Sequence, residues 1–179
     1  MYLLEVSSLL RKSVDSLELE GTIALDDYVV GDLVFTPTGP ISFKGSADFI
    51  GDGVRVHGRA SLPLETECVR CLEPFPLTVW GAFDTVFFTE PGVDDQGDPL
   101  PVIPEPEDTI DLEPLIMEAL VVATPFAPIH DPNCAGLCAS CGANLNEGAC
   151  DCGQAPDPNH PFAKLAEIVA RQHDEAGEG

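Results

Sequence analysis

The chain has 179 residues, of which 44% are apolar and 22% are charged, so it has the composition of a globular protein and can bury a core. Acidic residues outnumber basic ones by 31 to 8, which gives a formal net charge of -23 at pH 7. This charge argues against a free-standing nucleic-acid binder and against binding to acidic membranes, because both rest on lysine and arginine. Either the acidic surface attracts basic proteins, or it only keeps the protein soluble.

The N-terminal residues do not predict a signal peptide. Their basic pair, Arg11 and Lys12, follows the apolar residues, and the apolar stretch is short. No part of the chain approaches the run of about 20 apolar residues that spans a membrane as a helix. We therefore expect a cytoplasmic protein with reduced thiols, and clustered cysteines in that compartment bind metal more often than they form disulfides.

Alternation of apolar and polar residues predicts five strands in the first half of the chain. The clearest case is 54–65, where apolar or small residues occupy the even positions and polar residues most of the odd ones. The same period covers 17–25, 33–35, 41–49 and 75–87. Their connections are short and turn-like, so consecutive strands are expected to pair in an antiparallel meander. One curled sheet or open barrel would result.

A helix is predicted after this sheet. Residues 90–108 are rich in proline and acidic residues and contain no basic residue, which indicates a mobile acidic loop. Apolar residues then recur at helical spacing from Leu112 to Ala123, with Asp111 as the expected N-cap and Pro125 beyond the end. This helix should cover the open face of the sheet.

The patterns together predict an α+β protein in two parts. Residues 1–125 would form a β-rich core domain with its covering helix. Residues 126–179 would form a cysteine-rich, zinc-binding segment and a short C-terminal helix, indicated by the spacing of Phe162, Leu165 and Val169.

The stretch "HDPNCAGLCASCGANLNEGACDCG" at 130–153 contains five cysteines and one histidine. Cys138 and Cys141, separated by two residues and followed by glycine, have the spacing of a zinc knuckle. Cys150 and Cys152 offer a second chelating pair, and the four thiols make one complete tetrahedral ligand set. The alternative is four reduced cysteines without a metal.

A second ligand set requires an earlier part of the chain. Cys68 and Cys71 lie at the tip of the hairpin predicted between the fourth and fifth strands, and His130 with Cys134 would complete three thiolates and an imidazole. His130 could instead be a surface histidine, and the hairpin cysteines a reduced or redox-active pair. Eight ligands suffice for two structural zinc ions, so we expect one or two per chain.

Several motifs resemble those of the YceD-like proteins of bacteria and plastids. The similar pieces span about residues 17–170, and the most specific are "CVRCLEPF", "GLCASCGANLN", the later Cys-x-Cys and the terminal "PFAKLAEI". The second cysteine run resembles the form found in Gram-positive and related bacteria. The resemblance implies a role in accumulation of large-subunit ribosomal RNA.

The resemblance and the charge together predict a non-enzymatic factor in ribosome biogenesis. Its partner would be a basic large-subunit ribosomal protein or a pre-ribosomal particle, and the charge makes direct RNA contact doubtful. Arg70, inside the first knuckle, is the motif residue suited to a phosphate or carboxylate of a partner, although a salt bridge at the hairpin tip would also explain it. The alternative function is a zinc-dependent thiol redox sensor or redox chaperone.

Overall fold

A computed structural model of the chain describes residues 2–31, 33–104, 106 and 108–152. The described residues form eight strands and two helices: β1 (Leu3–Glu5), α1 (Ser7–Leu10), β2 (Ser16–Ile23), β3 (Tyr28–Val30), β4 (Leu33–Pro37), β5 (Ile41–Phe49), β6 (Gly53–Glu67), β7 (Pro74–Phe88), β8 (Thr109–Asp111) and α2 (Glu113–Ala123). The predicted helix around 162–169 lies outside the described residues. In the part of the chain described, no helix is both long enough and apolar enough to cross a bilayer.

The two longest strands, β6 and β7, form one long hairpin, and β6 is the central strand of the sheet. They pair antiparallel from Gly53 with Phe88 to Glu67 with Pro74. Most alternate residues of β6 are buried, and the side chains of Val56, Leu62 and Leu64 are at most 1% exposed. The predicted alternation is therefore confirmed, since a half-buried strand directs every second side chain into the core.

The predicted meander is only partly correct. Strands β5, β6 and β7 follow one another as antiparallel neighbours, but β2 pairs with β5 instead of with the strand that follows it in the chain. Strands β3 and β4 form a separate hairpin that joins the sheet where β4 meets the end of β6. Turn-like connections fix antiparallel direction but do not fix which strands become neighbours.

The large sheet does not close into a barrel. Among the described residues, β2 pairs with β5 alone, and the strand order is β2-β5-β6-β4-β3 with β7 on the other side of β6. The mostly antiparallel architecture with few helices agrees with the predicted class. A second, two-stranded sheet of β1 and β8 has no counterpart in the predicted elements, because three-residue strands carry too little periodicity to detect.

Helix α2 covers the sheet at β7, as predicted. Ile116 and Leu120 on its inner face are fully buried. A Cβ atom on Gly81 of β7 would lie 2.7 Å from the backbone carbonyl of Ala119, so glycine permits the close approach. The carboxylate of Asp111 accepts a hydrogen bond from the N–H of Glu113 at 3.1 Å, although the N-cap position falls on Leu112 and not on Asp111 as predicted.

The stretch 90–108, predicted to be a mobile acidic loop, contains a core residue. It turns back on itself at an antiparallel bridge between Val93 and Pro99. Ile103, which is 3% exposed, packs in the hydrophobic core. Its N–H also donates to the carbonyl of Phe88 at 2.9 Å, so this part of the stretch is bound to the end of β7.

We expect Ile103→Ala to lower the free energy of unfolding by about 3 kcal/mol, because it leaves a cavity among buried side chains. Val93→Ala is the matched control, since Val93 is 65% exposed in the same stretch, and it should change stability by less than about 0.5 kcal/mol. Urea denaturation followed by circular dichroism measures both. Equal, small effects would show that residue 103 contributes no packing.

Candidate metal centres

The chain divides into two compact units, Met1–Cys134 and Ala135–Gly179. The structure places the eight predicted ligands in two sets, with four in each unit. The first set is Cys68, Cys71, His130 and Cys134, and the second set is Cys138, Cys141, Cys150 and Cys152. Within each set the potential ligand atoms lie within 4.8 Å of one another. Either set could therefore hold a metal ion.

The hairpin between β6 and β7 carries the first two ligands on a tight turn. The N–H of Leu72 donates to the carbonyl of Cys68 at 2.8 Å, and the N–H of Cys68 donates to the carbonyl of Glu73 at 2.9 Å. Leu72 adopts a positive φ of 61°, a conformation that glycine adopts at lower cost. The turn places Cys68 and Cys71 in the protein interior, where they are 0% and 4% exposed.

The other two ligands of the first set come from the segment 128–134. The N–H of Val69 donates to the carbonyl of Pro128 at 2.9 Å, and the guanidinium of Arg70 donates to the carbonyls of Pro132 and Cys134 at 3.1 and 3.0 Å. These bonds hold the segment against the knuckle turn. Arg70 thus has a structural contact that the sequence did not predict, and its contact with a partner stays a prediction.

Distances within the first set fit a tetrahedral ion. Metal–sulfur bonds of about 2.3 Å place two tetrahedral sulfurs about 3.8 Å apart. The sulfurs of Cys68 and Cys134 are 3.9 Å apart, and His130 directs Nδ1 at the sulfur of Cys71, 3.4 Å away. The imidazole also contacts the ring of Phe75 edge-on, with 6.3 Å between ring centroids. His130 is therefore oriented toward the thiols, as a ligand must be.

The thiols of the first set differ in acidity. Burial acts to raise the pKa of Cys68, but hydrogen bonds from the backbone N–H groups of His130, Arg70 and Cys71 outweigh burial and lower the pKa to about 5. Burial raises the pKa of Cys71 to about 11, and the neighbouring thiols of Cys68 and Cys134 oppose its ionisation further. Like charges so close together cannot all form without a cation. A metal ion would supply that charge and displace protons from the thiols.

The second set uses the same turn. The N–H of Gly142 donates to the carbonyl of Cys138 at 2.8 Å, and the N–H of Cys138 donates to the carbonyl of Ala143 at 2.8 Å. Gly142 has a φ of 72°. Glycine here adopts the conformation that Leu72 adopts in the first knuckle. The predicted zinc-knuckle spacing thus corresponds to a knuckle turn at both places.

Thiol acidity in the second set follows the same pattern. Hydrogen bonds from the backbone N–H groups of Cys141 and Ser140 lower the pKa of Cys138 to about 6. The neighbouring thiol of Cys141 raises the pKa of Cys152 to about 12. Each set therefore has one thiol whose pKa is lowered and at least one whose pKa is raised, and a bound cation would favour the ionised form of both. This set is less buried than the first, and Cys141 is exposed.

Two asparagines support the loop that carries the second set, and sequence reasoning missed them. The side chain of Asn146 accepts a hydrogen bond from the N–H of Ala135 and donates to the side chain of Asn144, both at 2.8 Å. The N–H of Leu145 donates to the carbonyl of Gly136 at 2.8 Å. Asparagines spaced two apart next to a knuckle are the signal that could have indicated this role.

A family model described as "Large ribosomal RNA subunit accumulation protein YceD" matches residues 56–169, a range that contains all eight ligands. Uncharacterised proteins of Mycobacterium tuberculosis and Mycobacterium bovis are each 32% identical to the chain over 126 residues. A Mycobacterium leprae protein is 30% identical over 141 residues. The alignments cover 70 to 73% of this chain but 60% of each relative, less than two thirds of their length. No solved structure matches the chain.

We expect two metal ions per chain after purification without chelator, as counted by elemental analysis. Cys71→Ser should lose one ion and lower the melting temperature, because the segment 128–134 would lose its metal link to the hairpin. Cys141→Ser should also lose one ion but leave the melting of the β-rich unit unchanged. A wild-type count of one ion that Cys71→Ser retains would mean that the first set does not bind metal.

Arg70→Met should make the first site release its metal to a chromogenic chelator about tenfold faster, since residues that orient ligands affect metal retention on that scale. Methionine preserves most of the side-chain length but removes both hydrogen bonds to the 128–134 segment. Arg59→Met is the matched control, because Arg59 is exposed on β6. Equal release from the two variants would show that Arg70 does not hold the site together.

Proposed function

The chain belongs to the YceD family, and we propose from this membership that it is a non-enzymatic factor in ribosome biogenesis that supports accumulation of large-subunit ribosomal RNA. The family match over residues 56–169 is the observation that carries the proposal. It extends from near the start of β6 past the second cysteine set, so it includes most of the long hairpin and both candidate metal centres. We propose that the protein acts in the cytoplasm.

Zinc is the metal we propose for both centres. Thiolate and imidazole ligands in fours are typical of structural zinc, and both sets draw all four ligands from the protein. A tetrahedral ion held in this way has no position left for a substrate or a water molecule. The ligand sets thus support a structural role for the metal and a protein that works by binding.

The partner we propose is a basic large-subunit ribosomal protein or a pre-ribosomal particle that displays one. The 31 acidic against 8 basic residues favour a cationic partner and oppose direct contact with RNA phosphates. Association of an acidic factor with a basic protein would be fast and sensitive to salt.

The alternative of a thiol redox sensor finds little support at the first centre. Sensor cysteines need solvent access, whereas Cys68, Cys71 and Cys134 are at most 5% exposed. Mild peroxide treatment provides the test. If the first centre releases its metal at a small excess of peroxide, the redox function is favoured over the structural one.

Depletion of the protein in a bacterium that encodes it should reduce free large subunits and large-subunit ribosomal RNA relative to the small subunit, as measured on sucrose gradients. A plasmid copy of the wild-type gene should restore the profile, and the metal-site variant Cys71→Ser should not. A matched control strain depleted of an unrelated acidic cytoplasmic protein should keep a normal profile. If large-subunit levels do not change on depletion, the proposed function is wrong.

A further inference from the structure

A cleft of about 520 Å³ lies next to the first knuckle, where strands β4 and β6 separate. The ladder between these strands consists of the pairs Thr36–Glu65 and Pro37–Leu64. Residues 33–35 of β4 pair with β3 instead. The two strands therefore diverge toward the end of β6, and the cleft opens between them.

The edge of β6 that faces the cleft carries backbone groups beyond the end of this ladder. The carbonyl of Pro63 accepts a hydrogen bond from the β4–β5 connection, so the backbone groups of Pro63 point to the β4 side of β6. The backbone groups of Glu65 and Glu67 also point to the β4 side, because the N–H and C=O groups of successive residues in a strand point to opposite edges. Pro76 and Pro74 stand opposite them on β7, and neither has an N–H to donate to β6. Glu67 lies past the last β4–β6 pair, so the edge of β6 at this residue borders the cleft.

The lining of the cleft combines apolar and acidic side chains. Val34 and Leu72 are 71% and 58% exposed, although both are large aliphatic residues. Glu65 and Glu67 are exposed on the same lining, and none of the described residues that line the cleft is basic. An apolar surface next to two carboxylates fits a ligand that is both apolar and cationic.

Leu72 provides an independent indication that the cleft has a function. Its positive φ costs on the order of 1 kcal/mol for a residue with a Cβ atom, and glycine adopts the same conformation in the second knuckle. The leucine side chain gains little burial in return, because it is mostly exposed. A residue that combines an unfavourable backbone conformation with an exposed apolar side chain is expected where that side chain contacts a partner.

We propose that this cleft binds an extended segment of a basic protein, which pairs with the edge of β6 at Glu67, beyond the last β4–β6 pair. Lysine or arginine side chains of the segment would contact Glu65 and Glu67, and its apolar side chains would pack on Val34, Val69 and Leu72. This is recognition by strand addition, in which main-chain hydrogen bonds give affinity and alternate side chains give specificity. The inference rests on the proposed function, because it locates the surface that would receive the basic partner.

The direct test is binding of a fluorescent peptide with the repeat Lys-Ser-Val-Ser, which places lysine and valine on the same face of an extended segment, followed by anisotropy at physiological salt. Glu65→Gln combined with Glu67→Gln should weaken binding about tenfold, through loss of two ion pairs at a partly enclosed site. Glu18→Gln combined with Glu90→Gln removes the same charge from other exposed positions and should change affinity by less than about twofold. This control is required because a protein with a charge of -23 attracts any cationic peptide.

The variant Leu72→Gly tests peptide binding to the cleft without destabilising the fold. Glycine relieves the positive φ, so the variant should keep the wild-type metal content and melting temperature while it binds the peptide at least about fivefold more weakly. A peptide with the repeat Lys-Ser-Ser-Ser, which lacks the valines, should bind the wild type as weakly as the Lys-Ser-Val-Ser peptide binds the variant. The inference is overturned if both pairs of glutamine substitutions weaken binding equally, if Leu72→Gly binds normally, or if single-stranded RNA displaces the peptide from the cleft.

The depletion strain distinguishes failure of this inference from failure of the proposed function. If the wild-type gene restores large-subunit levels and Leu72→Gly does not, the cleft is the functional surface. If both genes restore large-subunit levels, the inference about the cleft is overturned and the proposed function stays in place. If depletion itself has no effect on large subunits, the proposed function is wrong, and the peptide measurements alone decide whether the cleft binds a basic segment.

Discussion

The turn that ends β6 is the feature on which the first metal centre depends. Its hydrogen bonds bring the sulfurs of Cys68 and Cys71 together in the interior, and its exposed side binds the segment 128–134 through Val69 and Arg70. His130 and Cys134 thereby reach thiols that are about sixty residues earlier in the chain. Because adjacent thiolates repel one another, a complete set is compatible with burial only if a cation compensates their charge.

The two knuckle turns have the same hydrogen-bond pattern but differ at the residue after the second cysteine. Gly142 adopts the left-handed conformation without steric cost, whereas Leu72 adopts it with a Cβ atom and a largely exposed side chain. The first knuckle is part of the long β6–β7 hairpin, which fixes where that side chain lies. Among the described residues, the second knuckle is supported by its own loop and by the asparagine contacts. The difference suits the binding role proposed for the first turn.

Only the arrangement of the strands shows where the acidic residues lie relative to apolar side chains. Most of the carboxylates of the described residues are exposed and contribute a diffuse negative field, which attracts cations without selecting among them. Glu65 and Glu67 lie beside exposed apolar side chains, and Glu67 also lies past the last pair between β4 and β6. Selection of a partner requires such short-range contacts, since long-range attraction is screened within about 8 Å at physiological ionic strength.

The sequence by itself determined the strands with strict alternation and the helix over Glu113–Ala123, because these depend on local periodicity. It offered eight candidate ligands, enough for two tetrahedral sites, and the structure brings them together in two sets that could each hold a metal ion. The sequence did not determine that β2 pairs with β5, that Ile103 lies in the core, or that Arg70 holds the segment 128–134. Each of these depends on contacts between residues far apart in the chain. The cleft could not be predicted from the sequence either, because it exists only where β4 diverges from β6 and pairs with β3. Pairing between strands far apart in the chain is decided by the packing of the whole core.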